Sequence, residues 1–112
     1  METRYIQIPR GAFVGSEQRP IYGYKTVRAK CLKGLAVHKA NKGHRWKWML
    51  THEASGLCLE MLGAMTQKQA LDNMRRATDI DFDWSAPRDS VIEGLKTRRE
   101  VFDALRAIAN HD

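Results

Sequence analysis

Apolar and polar residues alternate with a period of two through the first half of the chain, then with a period near 3.6 through the second. Thr3 to Ile8 predicts a first strand, with Arg4, Ile6 and Ile8 on one face and Tyr5 and Gln7 on the other. Pro9 ends it or marks an edge. Gly11, Gly15, Ser16 and Pro20 predict a loop over residues 10–20. A long strand is expected from Tyr22 to Leu32, a turn at Lys33-Gly34, and a short strand from Leu35 to Lys39. Asn41-Lys42-Gly43 suits a hairpin loop. From Arg45 to Thr51, Trp46, Trp48 and Leu50 fall on one face and Arg45, Lys47, Met49 and Thr51 on the other. A turn over His52 to Gly56 then leads into a return strand, Leu57 to Leu62.

Thr66-Gln67-Lys68-Gln69 fits a capping box, in which Thr66 caps a helix and Gln69 reaches back to the Thr66 amide. Ala70, Leu71, Met74 and Ala77 form its apolar stripe. In residues 79–84 the alternation returns, so Ile80, Phe82 and Trp84 should face the core from an extended connector or short strand. A last helix is expected from about Pro87 or Ser90 to Ala109, buried through Val91, Leu95, Phe102, Leu105 and Ala109. Arg98 falls inside that apolar face, and a buried guanidinium needs a partner. Asp79, Asp81 or Asp83 would supply one within the chain; alternatively Arg98 reaches outward because that helix face meets another chain.

The expected fold is α+β. A mostly antiparallel sheet of four to five strands over residues 3–62 precedes two helices, near 66–78 and 88–109, packed on one face. The helix stripes and the tryptophans should share the core. The 112 residues fit a single domain, 1–112. The chain is 43% hydrophobic and 29% charged, a globular balance, with no apolar run long enough for a membrane span. Met1-Glu2-Thr3-Arg4-Tyr5 lacks the apolar core of a signal peptide, so a cytoplasmic protein is expected. Cys31 and Cys58 stand apart and fit free thiols of a reducing compartment.

Charge sharpens the picture. The net charge is +6, yet residues 18–52 hold nine basic side chains and no acid, while the remainder holds ten basic and thirteen acidic residues. At the chain's mean acid frequency, about four acids would fall in that stretch. The cations are interleaved with Tyr22, Tyr24, Trp46 and Trp48. Cations displace counterions from phosphates, and exposed aromatic rings stack on unpaired bases. The binding residues expected are Lys25, Arg28, Lys30, Lys33, Lys39, Lys42, Arg45 and Lys47, on the sheet face opposite the helices. Their partner would be nucleic acid or an acidic protein surface.

Other motifs fall short of a chemistry. Gly11 and Gly15 precede no Gly-Lys-Ser/Thr, so they make no phosphate loop. The spacings of Cys31, His38, His44, His52 and Cys58 match no zinc pattern. Asp79, Asp81 and Asp83 open like a calcium loop, but Trp84 replaces its glycine and Ser90 its bidentate Glu. His52 lies near Glu53, Ser55 and Cys58, but a turn this tight rarely orients nucleophile, base and a third group together. No catalytic residue, metal or cofactor is expected.

Trp48-Met49-Leu50-Thr51-His52-Glu53-Ala54-Ser55-Gly56-Leu57, followed by Thr66 and Ala70 opening a helix, resembles small uncharacterised proteins of phages and other mobile elements. The order of strands then helix is also similar to the arm-binding domain of tyrosine integrases, three strands backed by one helix. Both likenesses cover about residues 45–75. The first implies an accessory role: binding nucleic acid, or blocking a host nucleoprotein such as a CRISPR surveillance complex. The second implies DNA binding without catalytic residues.

Overall fold

The computed structural model describes residues 1–9, 24–40 and 45–110. The loop expected over 10–20, the start of the strand at Tyr22 and the hairpin loop at Asn41-Lys42-Gly43 lie outside those residues.

The fold is α+β. Four strands, β1 (Glu2–Pro9), β2 (Tyr24–Leu32), β3 (Leu35–Lys39) and β4 (Trp48–His52), pair antiparallel in the order β1-β2-β3-β4. The turn between β2 and β3 is Lys33-Gly34, with φ of 49° and 94°. Positive φ at both central residues matches the right-handed twist of the flanking strands. Three helices follow: α1 (Gln67–Thr78), α2 (Arg88–Thr97) and α3 (Arg99–Ala109).

Helix α1 starts as expected, with the Thr66 hydroxyl accepting the Gln69 amide at 3.2 Å. The Gln69 side chain does not reach back to close the box. Its Nε2 donates to Asn73 Oδ1 at 2.9 Å, and buried Asn73 donates to the Leu62 carbonyl at 3.0 Å. Helix α1 packs on β3, β4 and the adjoining end of β2; α3 packs on α1, and α2 on α3. Strand β1 has no substantial contact with a helix. The main core lies between sheet and helices: Leu35, Val37 and Leu50 meet Ala70, Met74, Ala77, Val91, Val101 and Leu105. Burying each large aliphatic side chain here contributes about 1.5–3 kcal/mol. The tryptophan wholly inside it is Trp84, whose indole donates to the Ala77 carbonyl at 3.1 Å. Trp48 packs at the margin, half-buried.

Three expectations need correction. Leu57–Leu62 is not a fifth strand. It makes the bridge Thr51↔Cys58, then coils into a 3₁₀ turn over Glu60–Leu62. Leu59 and Leu62 are buried and Met61 is exposed, so burial follows a spacing of three rather than two. The last helix is not continuous. It breaks at Arg98 (φ −100°, ψ 84°), between α2 and α3. In an unbroken helix Arg98 would enter the apolar face. At the break it stays partly exposed, and its Nε donates to Glu100 Oε1 at 2.8 Å rather than to Asp79, Asp81 or Asp83. The break also resets the helical phase, which buries Val101 and Leu105 and leaves Phe102 exposed.

The third correction concerns the sheet's faces. Cross-strand partners share a face. Leu35↔His52, Val37↔Leu50 and Lys39↔Trp48 therefore lie on the helix side, with Lys30, the partner of Val37. The opposite face holds Arg4 and Lys25 but not the rest of the basic block. It carries a second apolar cluster of Ile6, Ile8, Ala29, Cys31 and Ala36, with Val27 partly buried beside it.

Candidate nucleic-acid interface

The interface begins with β1 and β2, whose residues alternate as read from the sequence. Arg4, Ile6 and Ile8 pair with Ala29, Val27 and Lys25 on the apolar side; Thr3, Tyr5 and Gln7 pair with Lys30, Arg28 and Thr26 on the other. That second face continues the helix-side surface past the reach of α1. Along β2 the same face changes from Leu32, packed against the core, through half-buried Lys30 to exposed Arg28, Thr26 and Tyr24. Lys39 stands two residues beyond Val37 on β3, exposed on that face. Arg28, Lys30 and Lys39 thus share one open surface, with same-face neighbours along a strand about 7 Å apart.

Arg45 and Lys47 lie where the chain enters β4, held to the end of β3 by the Ala40 amide donating to the Lys47 carbonyl at 2.9 Å. The Arg45 guanidinium lies 4.6 Å from the Trp46 ring centre, and Lys39 Nζ lies 6.0 Å from that of Trp48. Trp46 in turn rests on Gly63, where a Cβ would come within 2.5 Å of the indole. Arg45 and Lys47 lie at the end of the sheet away from Lys33-Gly34.

Not all expected binding residues gather there. Lys25 pairs with Ile8 on the opposite face, and its charge bears on His38. Lys33 sits in the turn at the far end, and Lys42 lies outside the described residues. Sequence reading missed Tyr5. It is 75% exposed, it is the cross-strand partner of Arg28, and it lies on the polar side of the Ile6/Ile8 alternation, the signal that could have found it.

Ion pairing separates this surface from the rest of the molecule. Arg4 pairs with Glu2 and Glu53, Arg76 with Asp72, Arg88 with Asp89, Arg98 with Glu100, and Arg99 with Asp103. Among the described residues, no carboxylate lies within ion-pair distance of Arg28, Lys30, Lys39, Arg45 or Lys47.

His38 and His52 are both buried and hydrogen-bonded. Buried His38 has Nδ1 2.9 Å from the Lys39 carbonyl and Nε2 2.8 Å from Thr51 Oγ1. The carbonyl can only accept, so Nδ1 carries the proton and Thr51 donates to Nε2. Burial, aided by the charge of Lys25, holds His38 below the usual imidazole range. His52 does come within hydrogen-bond reach of Ser55, with Nδ1 2.7 Å from Oγ. However, His52 is wholly buried, its Nε2 has no hydrogen-bond partner among the described residues, and Ser55 Oγ also accepts the Leu57 amide at 3.0 Å. The pair closes the turn. Among the described residues no three His, Cys, Asp or Glu side chains converge as metal ligands, and His44 lies outside them. Cys58 is exposed at the rim of an apolar groove, and the protein packed about its sulfur pushes the thiol up to about 12. No helix among the described residues is long and apolar enough to cross a membrane.

No protein-family model, curated protein or solved structure matches this chain.

Proposed function

We propose that this chain is a non-enzymatic nucleic-acid-binding protein that lays a phosphate backbone across the open half of its sheet. The observation that carries the reading is the arrangement of Arg28, Lys30 and Lys39 on one solvent-facing surface, without carboxylate neighbours among the described residues. Arg45 and Lys47 lie at the end of the sheet away from Lys33-Gly34; Lys25 and Lys33 stand apart from this surface. Such a row gains affinity by replacing the counterions condensed on phosphates, which are released into solution. The setting that fits is the cytoplasm, with the chain acting as an accessory protein of a phage or other mobile element.

Fluorescence anisotropy across a salt series tests this. Removing one phosphate-binding cation lowers the slope of log affinity against log salt by about 0.7 for single strands and 0.9 for duplex. Replacing Arg28, Lys30 and Lys39 together with alanine should reduce the slope by about 2 and weaken binding at least ten-fold at low salt. Lys33→Ala should do neither. If no single-stranded, duplex or structured probe binds at low salt, or if the triple variant keeps the parental slope, the reading is wrong.

A second reading draws on a different observation. Leu57, Met61, Leu95 and Phe102 line an apolar groove of about 330 Å³, and Met61 and Phe102 are exposed. A surface of that kind suits a protein that blocks a host nucleoprotein complex, with the basic face turned to an acidic or nucleic-acid-adjacent site. A protein partner that co-purifies and survives nuclease treatment would favour it.

A further inference from the structure

Cations alone do not distinguish a paired from an unpaired strand, because both present phosphates. The aromatic residues do. Among the described residues, Tyr5 and Tyr24 are the large aromatic side chains most open to solvent, at 75% and 61%. Both belong to the face that carries Arg28 and Lys30: Tyr5 is the direct partner of Arg28, and Tyr24 lies on the same strand four residues from it. We infer that this face is built for an unpaired strand, with Tyr5 and Tyr24 stacking on bases while Arg28, Lys30 and Lys39 hold the phosphates. This rests on the nucleic-acid reading above and narrows it to one class of ligand.

The argument is geometric and chemical. Tyr24 stands opposite Pro9, four residues along β1 from Tyr5. At about 3.4 Å per residue, the two tyrosines leave the sheet roughly 14 Å apart. They are too distant to sandwich one base, so they serve two different bases. The polar residues between them, Gln7 and Thr26, form a cross-strand pair and are exposed on the same face. A strand running from one ring to the other would cross the hydrogen-bonding groups of Gln7 and Thr26 rather than apolar surface, with Arg28 beside the first ring. A duplex keeps its base faces stacked on each other, so it could use the cations but not the rings. Stacking on a ring face is also tolerant of sequence, because every base presents a π-face.

The test compares the full chain with Tyr5→Ala, Tyr24→Ala, the double variant, and Tyr5→Phe/Tyr24→Phe. The probes are an oligothymidylate, the matching oligouridylate, and a DNA duplex of equal length, all at one salt concentration. The parent should prefer either single strand to the duplex. Each alanine variant should lose roughly ten-fold in single-strand affinity. Duplex affinity and the salt slope should change little, and the phenylalanine variant should bind like the parent. Quenching of tyrosine emission by the single strands, absent in the double alanine variant, should accompany binding. Both residues are exposed, so unchanged circular dichroism is expected in every variant. A parent that binds duplex as tightly as single strand, or a double alanine variant that keeps full single-strand affinity, would overturn the stacking assignment and leave nucleic-acid binding intact. Failure of the parent to bind any probe would overturn both.

Discussion

Gly34 is where the sheet and the helical half of the chain meet most closely, and Gly34→Ala measures that contact. The residue has φ of +94°, and its carbonyl accepts the Glu53 amide at 2.9 Å. A Cβ built there would lie 2.6 Å from the carbonyl carbon of Trp84 and 2.9 Å from the Ser85 amide nitrogen, and closer still to the Trp84 carbonyl oxygen. Two costs follow. Holding a residue with a Cβ at positive φ costs about 1–2 kcal/mol. The clash is with main chain rather than a flexible side-chain tip, so either the turn or the Trp84 segment must move, at about 1–3 kcal/mol more. That segment also positions the buried indole bonded to Ala77. The expected loss is about 3 kcal/mol or more, a large share of the roughly 5–15 kcal/mol that holds a domain together. In urea, with m near 2 kcal/mol per molar, the midpoint should fall by about 1.5 M. Tryptophan emission should follow the transition, since Trp84 is in the core. Gly56→Ala is the comparison. Gly56 has φ of 74°, so it carries the backbone cost and should lose only about 1 kcal/mol. Equal losses at the two glycines would mean that the Trp84 segment does not rest on the β2–β3 turn.

Two further outcomes follow from buried polar groups. Asn73→Ala removes the donor to the Leu62 carbonyl and the acceptor of Gln69, leaving a buried carbonyl unpaired. It should cost about 1–3 kcal/mol by urea denaturation, while exposed Gln69→Ala should cost less than about 1. His38 is held below its ordinary value by burial, so below about pH 6.5 the unfolded chain binds a proton that the folded chain resists. This stability is fully present above that pH and is lost as the pH falls toward the folded value, by up to about 1.4 kcal/mol per pH unit. Stability curves between pH 7.5 and 5 should therefore flatten in His38→Gln; an unchanged slope would remove His38 as the cause.

Much of the fold was legible because its signals are local. The alternation in β1 and β2, the Lys33-Gly34 turn and the Thr66 cap depend on neighbours within a few residues, and each forms. What escaped depends on distant partners. Nothing near Arg98 in sequence stops a helix; the chain breaks there because a continuous helix would carry the guanidinium into the core that Val101 and Leu105 fill. Leu57–Leu62 has the apolar content of a strand, but Leu62 can reach the core only by coiling. Trp46 and Trp48 look like core residues from composition, yet the interior goes to Trp84. The basic cluster was legible as a composition but not as a surface. Lys25 parts from Arg28 and Lys30 through the alternation within β2 itself, whereas Tyr5 comes beside Arg28 only through the pairing register of β1 with β2.

The open half of the sheet invites a purely structural account of its charge. Strand β1 is an edge, and proteins protect edges from pairing with other chains by placing lysines and prolines there. That account explains charge in general, but not this combination. Lys30 is on β2, paired on one side with β1 and on the other with β3, so it guards no free edge; Arg28 lies on the same strand, paired with β1. Tyr5 is on the edge strand itself, fully in view of solvent, where a ring of high strand propensity makes unwanted pairing easier. A surface shaped only against association would put a lysine at Tyr5 and could leave the interior strand uncharged. Here one ring, Tyr5, stands on the edge strand and the other, Tyr24, shares β2 with Arg28 and Lys30, a mixture of rings and cations on one face that favours a ligand offering both flat apolar faces and negative charge.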